Sequence, residues 1–236
     1  MDENANVSLR VHDLYRTLLN ENDTYYPLPR DITSCDNAFL LLMAILSDLL
    51  CMRQSLGRII SLAESTNKPT HRHNPFVPLS PHTELDRIQN LLSSALDRWY
   101  NTFHTSTSLE VMAFYHYCKL CLDCDHLLEL PHMVAYKPLS PASSSENGMI
   151  ISAKSMRHAW LVPDNAAARS KVSSLDSLSP VWLPIIVFHA SLVVWATHSL
   201  SNLHESDGYS NAKVLLAFKI ELNTIPWRAA RRWRQP

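Results

Sequence analysis

The chain has 236 residues, of which 46% are hydrophobic and 18% charged, a balance that lets it bury a core and argues against disorder. Its 3 glycines, Gly57, Gly148 and Gly208, lie far apart, so it has no Gly-rich P-loop, no dinucleotide fingerprint and few of the turns an all-β fold needs. Lys and Arg number 21 against 22 Asp and Glu, a formal charge of -1, which argues against a basic duplex-binding module.

The length fits one large domain or at most two small ones. The cysteines, Cys35, Cys51, Cys118, Cys121 and Cys124, are odd in number and suggest no disulfide framework. The N-terminal MDENANVSLR is acidic and polar, unlike a secretory signal, so a reducing compartment, nucleus or cytosol, is expected.

Apolar residues recur at helical spacing along almost the whole chain, and no segment alternates with period two, so the predicted fold is all-α. A first helix over about residues 7 to 20 aligns Val11, Leu14 and Leu18. A second, capped by Asp36 or Asn37, runs through FLLLMAILSDLLCMRQSLGRIISLA, with Gly57 inside it as a point of bending. Residues 67–83 hold Pro69, Pro75, Pro78 and Pro81 and read as a loop. A third helix opens at Thr83 or Glu84 and aligns Leu85, Ile88, Leu91, Leu92, Ala95, Leu96 and Trp99. A fourth is capped by Ser108 and continues to Leu130, where Pro131 stops it.

Residues 137–148, KPLSPASSSENG, read as a Pro/Ser-rich surface loop, with a sub-boundary of the domain near 150. Pro163 and Asp164 predict the start of a short helix, with Asp164 as cap and Ala168, Val172 and Leu175 as its buried stripe. Residues 181–200 are the most apolar stretch. They are long enough to span a bilayer, but His189, Ser191, His198 and Pro184 and the lack of a basic flank favour a buried core helix. A last helical region carries Leu215, Phe218 and Leu222, is interrupted at Pro226 and ends in WRAARRWRQP.

Four constellations could carry chemistry. His116, Cys118, Cys121, Cys124 and His126 offer five zinc-type ligands within eleven residues. Zinc sites, however, usually pair a CxxC knuckle with a distant second pair, and residues at i, i+3 and i+6 drift round a helix by about 60° per step. Buried thiols acting as small hydrophobes are expected. His71, His73 and His82 share the Pro-rich loop without a thiol or carboxylate, which reads as solvated. Arg228, Arg231, Arg232 and Arg234, interleaved with Trp227 and Trp233, form a small cationic patch that suits a helix C-terminus. Asp123 and Asp125 point about 200° apart on a helix and would not chelate jointly. With no GxSxG, no HExxH and no Mg-holding Asp pair, no catalytic, cofactor-binding or metal-binding residue is predicted, and the chain is not expected to be an enzyme.

Several segments together are similar to a known family. DNAFLLLMAILSDLLCMRQSLGRI, SSALDRWYNTF, SLEVMAFYHYCKLCLDCDHLL, RHAWLVPDNAAARSKV and SPVWLPIIVFHASLVVWA resemble, in order and spacing, the fungal-specific transcription factor domain. This is the all-helical regulatory region downstream of the zinc finger in many fungal transcription factors. The family's "YH" step is matched by Tyr115-His116, its Trp before an Ala- and Arg-containing helix by Trp160, Ala167 and Arg169, and its "HA…L…W" helix by His189-Ala190, Leu192 and Trp195. The form attached to a two-Cys, two-His finger is the nearer one.

The resemblance covers residues 9 to 233 and implies one regulatory domain over 1–236, located in the nucleus and controlling RNA polymerase II transcription through protein contacts or a small effector. No finger pattern is present, so zinc and direct DNA contact belong to the family's finger and not to these residues, and the chain is expected to correspond to the C-terminal portion of such a factor. An effector would occupy an apolar interhelical pocket near His116, His189 and Trp195. The alternative is an all-α enzyme or auxiliary metabolic protein with an unrecognised site. Exposed apolar surface on the early helices, and with it self-association, is also expected.

Overall fold

The computed structural model describes residues 3–20, 35–65, 81–124, 127, 130, 151–172 and 180–201. Among these the protein is all-α: α1 (Glu3–Leu19), α2 (Cys35–Ser65), α3 (Pro81–Phe103), α4 (Leu109–Asp123), α5 (Ala153–Val172) and α6 (Leu183–Ser201), with no strand. The chain forms two compact units, Met1–Ser106 and Thr107–Pro236. Their division falls at Ser106, and residue 150, where a sub-boundary was expected, lies inside the second unit.

In the first unit, Leu14 and Leu18 of α1, one helical turn apart, are buried, as are Ala38, Leu41, Leu42, Ile45 and Leu49 of α2. Leu92, Ala95, Leu96, Trp99 and Phe103 give α3 its matching stripe. The buried indole of Trp99 donates its Nε1 hydrogen to the carbonyl of Ala38 at 2.8 Å, fixing the end of α3 against the start of α2. On the outer side, the Tyr15 hydroxyl donates to the Asp48 carboxylate, and burial followed by Asp48 itself pushes the phenol pKa far up. The α3 helix begins at Pro81, two residues before the expected start, because proline in the first turn loses no hydrogen bond that a helix needs. The rest of the predicted loop 67–83 lies outside the described residues.

Exposed apolar residues do occur on an early helix: Leu40 and Met43 of α2 face outward. Among the described residues one helical stretch, Asp36–Leu56 of α2, is long and apolar enough to cross a membrane by length and composition, with 21 residues and mean hydropathy 1.6. The apolar run of α6, Leu183–Thr197, is shorter.

In the second unit α4 is the hub, buried on nearly every side from Val111 to Leu122, and α5 and α6 pack on it and on each other. The Ser108 side chain accepts from the backbone of Val111 at the start of α4. The expected run to Leu130 is corrected: α4 ends at Asp123, and Cys124 is extended (φ -124°, ψ 98°) with its N–H on the Leu120 carbonyl. Aspartate has low helix propensity and opposes the C-terminal dipole, so the Asp-Cys-Asp run at 123–125 favours this exit. Leu127 and Leu130 are nevertheless buried.

The start predicted for α5 at Asp164 is also corrected, since the helix begins at Ala153 and carries Pro163 inside it. The Ser152 hydroxyl accepts from the N–H of Ser155 at 3.0 Å. Ser155, Ala159, Val162 and Ala166 form one buried stripe that passes the proline without a change of register. The loop 137–148, the last helical region and the terminal arginines lie outside the described residues.

Candidate functional site

The polar groups of the second unit are gathered around α4. A helix buried on all sides must carry any polar side chain into the core, and such groups persist only with partners. His116 and Tyr117 follow each other in sequence, about 100° apart around α4, and so reach the two different helices packed on it.

His116, only 8% exposed, places its Nδ1 3.1 Å from Nδ1 of His158 on α5, with ring centroids 5.3 Å apart. One ring must donate a hydrogen to the other, so the pair is formed by complementary tautomers. Burial, then His158 and Arg157, pushes the His116 pKa down to about 3. Burial likewise lowers His158, with Lys119, Arg157 and Lys154 acting in the same direction and Asp123 against it. Both imidazoles are therefore neutral at pH 7.

On the other side, Tyr117 Oη lies 2.8 Å from Nδ1 of His189 on α6, with the two rings stacked at 21°. Burial lowers His189, so its neutral ring accepts the phenol hydrogen. Tyr117 also shares a hydrogen bond with the Cys121 thiol, and burial together with Cys121 and Cys118 pushes the phenol pKa far up. Neither phenol nor imidazole is ionised near neutrality.

Cys118, Cys121 and Cys124 are free thiols, all buried. Burial first, then Cys121, pushes the Cys118 thiol well up, so it remains S–H and is a poor nucleophile. Among the described residues no group of three or more His, Cys, Asp or Glu side chains could hold a metal ion. His126, His71 and His73, and the side chain of His82, lie outside the described residues.

Of the three residues expected near an effector pocket, His116 on α4 meets α5 while His189 on α6 meets Tyr117, about 100° further round α4. Trp195 lies elsewhere, seven residues and two turns beyond Phe188 on the outward side of α6, where it is partly buried. The sequence reading missed His158 and Tyr117. Their only signal is a polar group on a helix face that is otherwise apolar, which demands a partner without naming it.

What the arrangement does chemically is join helices. Three neutral, mutually hydrogen-bonded contacts clamp α4 to α5 and α6: His116–His158, Tyr117–His189, and a hydrogen bond from Ser155 Oγ to the Asp123 carbonyl at 3.4 Å. No protein-family model, no curated protein and no solved structure matches the chain.

Proposed function

We propose that the chain is a helical regulatory domain of the fungal transcription factor type, acting in the nucleus through protein contacts or a small effector and without catalysis. The observation that carries the reading lies in the second unit. The segments that resemble the family domain there, 108–128, 157–172 and 179–196, are the ones that contribute α4, α5 and α6, which pack together. The residues that carry the resemblance are also the ones that join it: His116 of the "YH" step holds α5, and His189 of the "HA" step is held by Tyr117. Zinc and DNA contact are left to a finger on another stretch of sequence.

A second reading, an all-α enzyme or auxiliary metabolic protein, draws support from the same cluster, because histidines with lowered pKa gather at catalytic sites. It is the weaker reading because the Nδ1 atoms are engaged in bonds between helices and burial keeps the Cys118 thiol protonated. The test is to fuse the whole chain to a heterologous DNA-binding domain in fungal cells carrying a reporter. The regulatory reading expects reporter output to change several-fold over the DNA-binding domain alone; unchanged output from a well-expressed, nuclear fusion would contradict it.

A further inference from the structure

Arg98 lies near the end of α3, one residue before Trp99, and is partly buried. Its Nη1 donates to the carbonyl of Asn20, the residue that follows α1. That bond sets a cation against the negative end of α1 and uses one of the three guanidinium nitrogens. The other two, Nε and Nη2, are buried, and neither has a hydrogen-bond partner. No carboxylate of the described residues pairs with the group, the ion pairs among them being His12–Asp13 and Glu84–Arg87.

The two unpartnered nitrogens share one edge of the planar group. Their N–H bonds run side by side, in the fork that takes two oxygens of a single carboxylate or phosphate group. Burial does not relieve the site, because a guanidinium keeps its charge where a lysine amine would give up its proton. A trapped water satisfies a hydrogen bond but leaves that charge without a counter-charge. Capping a carbonyl needs one donor, so the second edge is surplus to the joint between α1 and α3.

The surroundings favour an anion from solvent. Arg16, in the last turn of α1, stands one turn before Asn20 and adds positive charge at the same end of the helix. Asn20 is exposed, which places the fork at the margin of the first unit. The last backbone bond there, from the Asn20 N–H to the Thr17 carbonyl, is long at 3.4 Å, so a small displacement of the end of α1 admits an ion without disturbing the core.

We propose that the Nε–Nη2 edge of Arg98 is a binding site for a small oxyanion, a carboxylate or a phosphate group, at the junction of α1 and α3. The site belongs to the first unit and does not depend on the transcriptional reading.

Nitrogen-15 NMR of the arginine Nε–H groups in the full chain tests it, with the Arg98 signal assigned by its loss in Arg98→Lys. Phosphate and acetate, each compared with sodium chloride at equal ionic strength, are expected to shift that signal to saturation with Kd on the order of 1 mM. Saturation by either ion supports the proposal and identifies the group the fork prefers. In thermal unfolding, about 20 mM of the binding ion should raise the wild-type Tm by about 4–7 °C. Arg98→Lys, which keeps the charge without the fork, should lose that rise. An Arg98 signal unmoved by about 50 mM of each ion would overturn the proposal and leave the edge to water or to the chain itself. A shift matched by chloride, or a Tm rise retained in Arg98→Lys, would overturn it as unspecific screening.

Discussion

Nδ1 of His116 and Nδ1 of His158 face each other at 3.1 Å across α4 and α5. Two imidazoles meeting through the same atom can share one hydrogen but not two, so the contact exists only while at least one ring is neutral. This gives the helix pair an acid limit.

The first prediction concerns pH. Folded His116 has its pKa lowered from 6.5 to about 3, so the unfolded chain takes up the proton first. The stability this represents is fully present above pH 6.5 and is lost as pH falls from 6.5 towards 3. Between pH 7.5 and pH 5.0, His116 alone accounts for about 2 kcal/mol, and His158 and His189, lowered by burial, act in the same direction. Urea titrations at the two pH values should show a clearly lower midpoint at pH 5.0, and a His116→Asn, His158→Asn double variant should lose much of that difference. Equal midpoints for the wild type would contradict the arrangement.

Removing one partner is a separate matter. His116→Ala leaves His158 with an unpaired nitrogen and creates a cavity at the hub, and should cost about 2–4 kcal/mol in urea denaturation at pH 7.5. An effect within 0.5 kcal/mol, the range typical of surface positions, would mean that the ring is not buried against α5.

In the first unit, Trp99→Phe removes the donor to the Ala38 carbonyl. It should destabilise that unit by about 0.5–1.5 kcal/mol, the net worth of one hydrogen bond, because the Ala38 carbonyl lies inside α2 and keeps its helical partner. Trp99→Ala should cost about 3–5 kcal/mol. Chemical denaturation followed by circular dichroism gives both values.

The thiols should separate by exposure. Cys51 is exposed while Cys118, Cys121 and Cys124 are buried. Site-resolved mass spectrometry after alkylation of the native chain should show Cys51 labelled early, and the other three only at the rate of unfolding. Rapid labelling of Cys121 would signal an accessible, reactive thiol beside Tyr117 and would favour the enzyme reading.

The start of α5 can be checked at its caps. Ser152→Ala should cost about 1 kcal/mol, the usual loss for a capping hydroxyl, whereas Asp164→Ala, mid-helix and exposed, should cost little. The reverse pattern would restore the start at Asp164.

Helix existence was legible in the sequence because apolar spacing of three and four residues is a backbone property that survives any tertiary arrangement. The ends were less so. Pro163-Asp164 has the form of a helix start, yet the stripe from Ser155 to Ala166 is continuous, and burying it outweighs the one hydrogen bond the proline removes. Apolar Leu127 and Leu130 suggested that α4 goes on, but the chain leaves α4 at Cys124 and turns at Leu127 before Leu130, which is helical again. Within the site, His116 and His189 stood out as imidazoles on apolar faces. Their partners His158 and Tyr117 lie 42 and 72 residues away in sequence, and no local pattern encodes such a pairing.

The most direct test is the protonation and tautomer state of the two rings. Nitrogen-15 NMR of the chain at pH 7 should find His116 and His158 both neutral, one with a hydrogen on Nδ1 and the other with a bare, accepting Nδ1. Two imidazolium rings, or two freely titrating rings with pKa near 6.5, would mean that these groups are available for proton transfer and that the contact joining α4 to α5 does not exist.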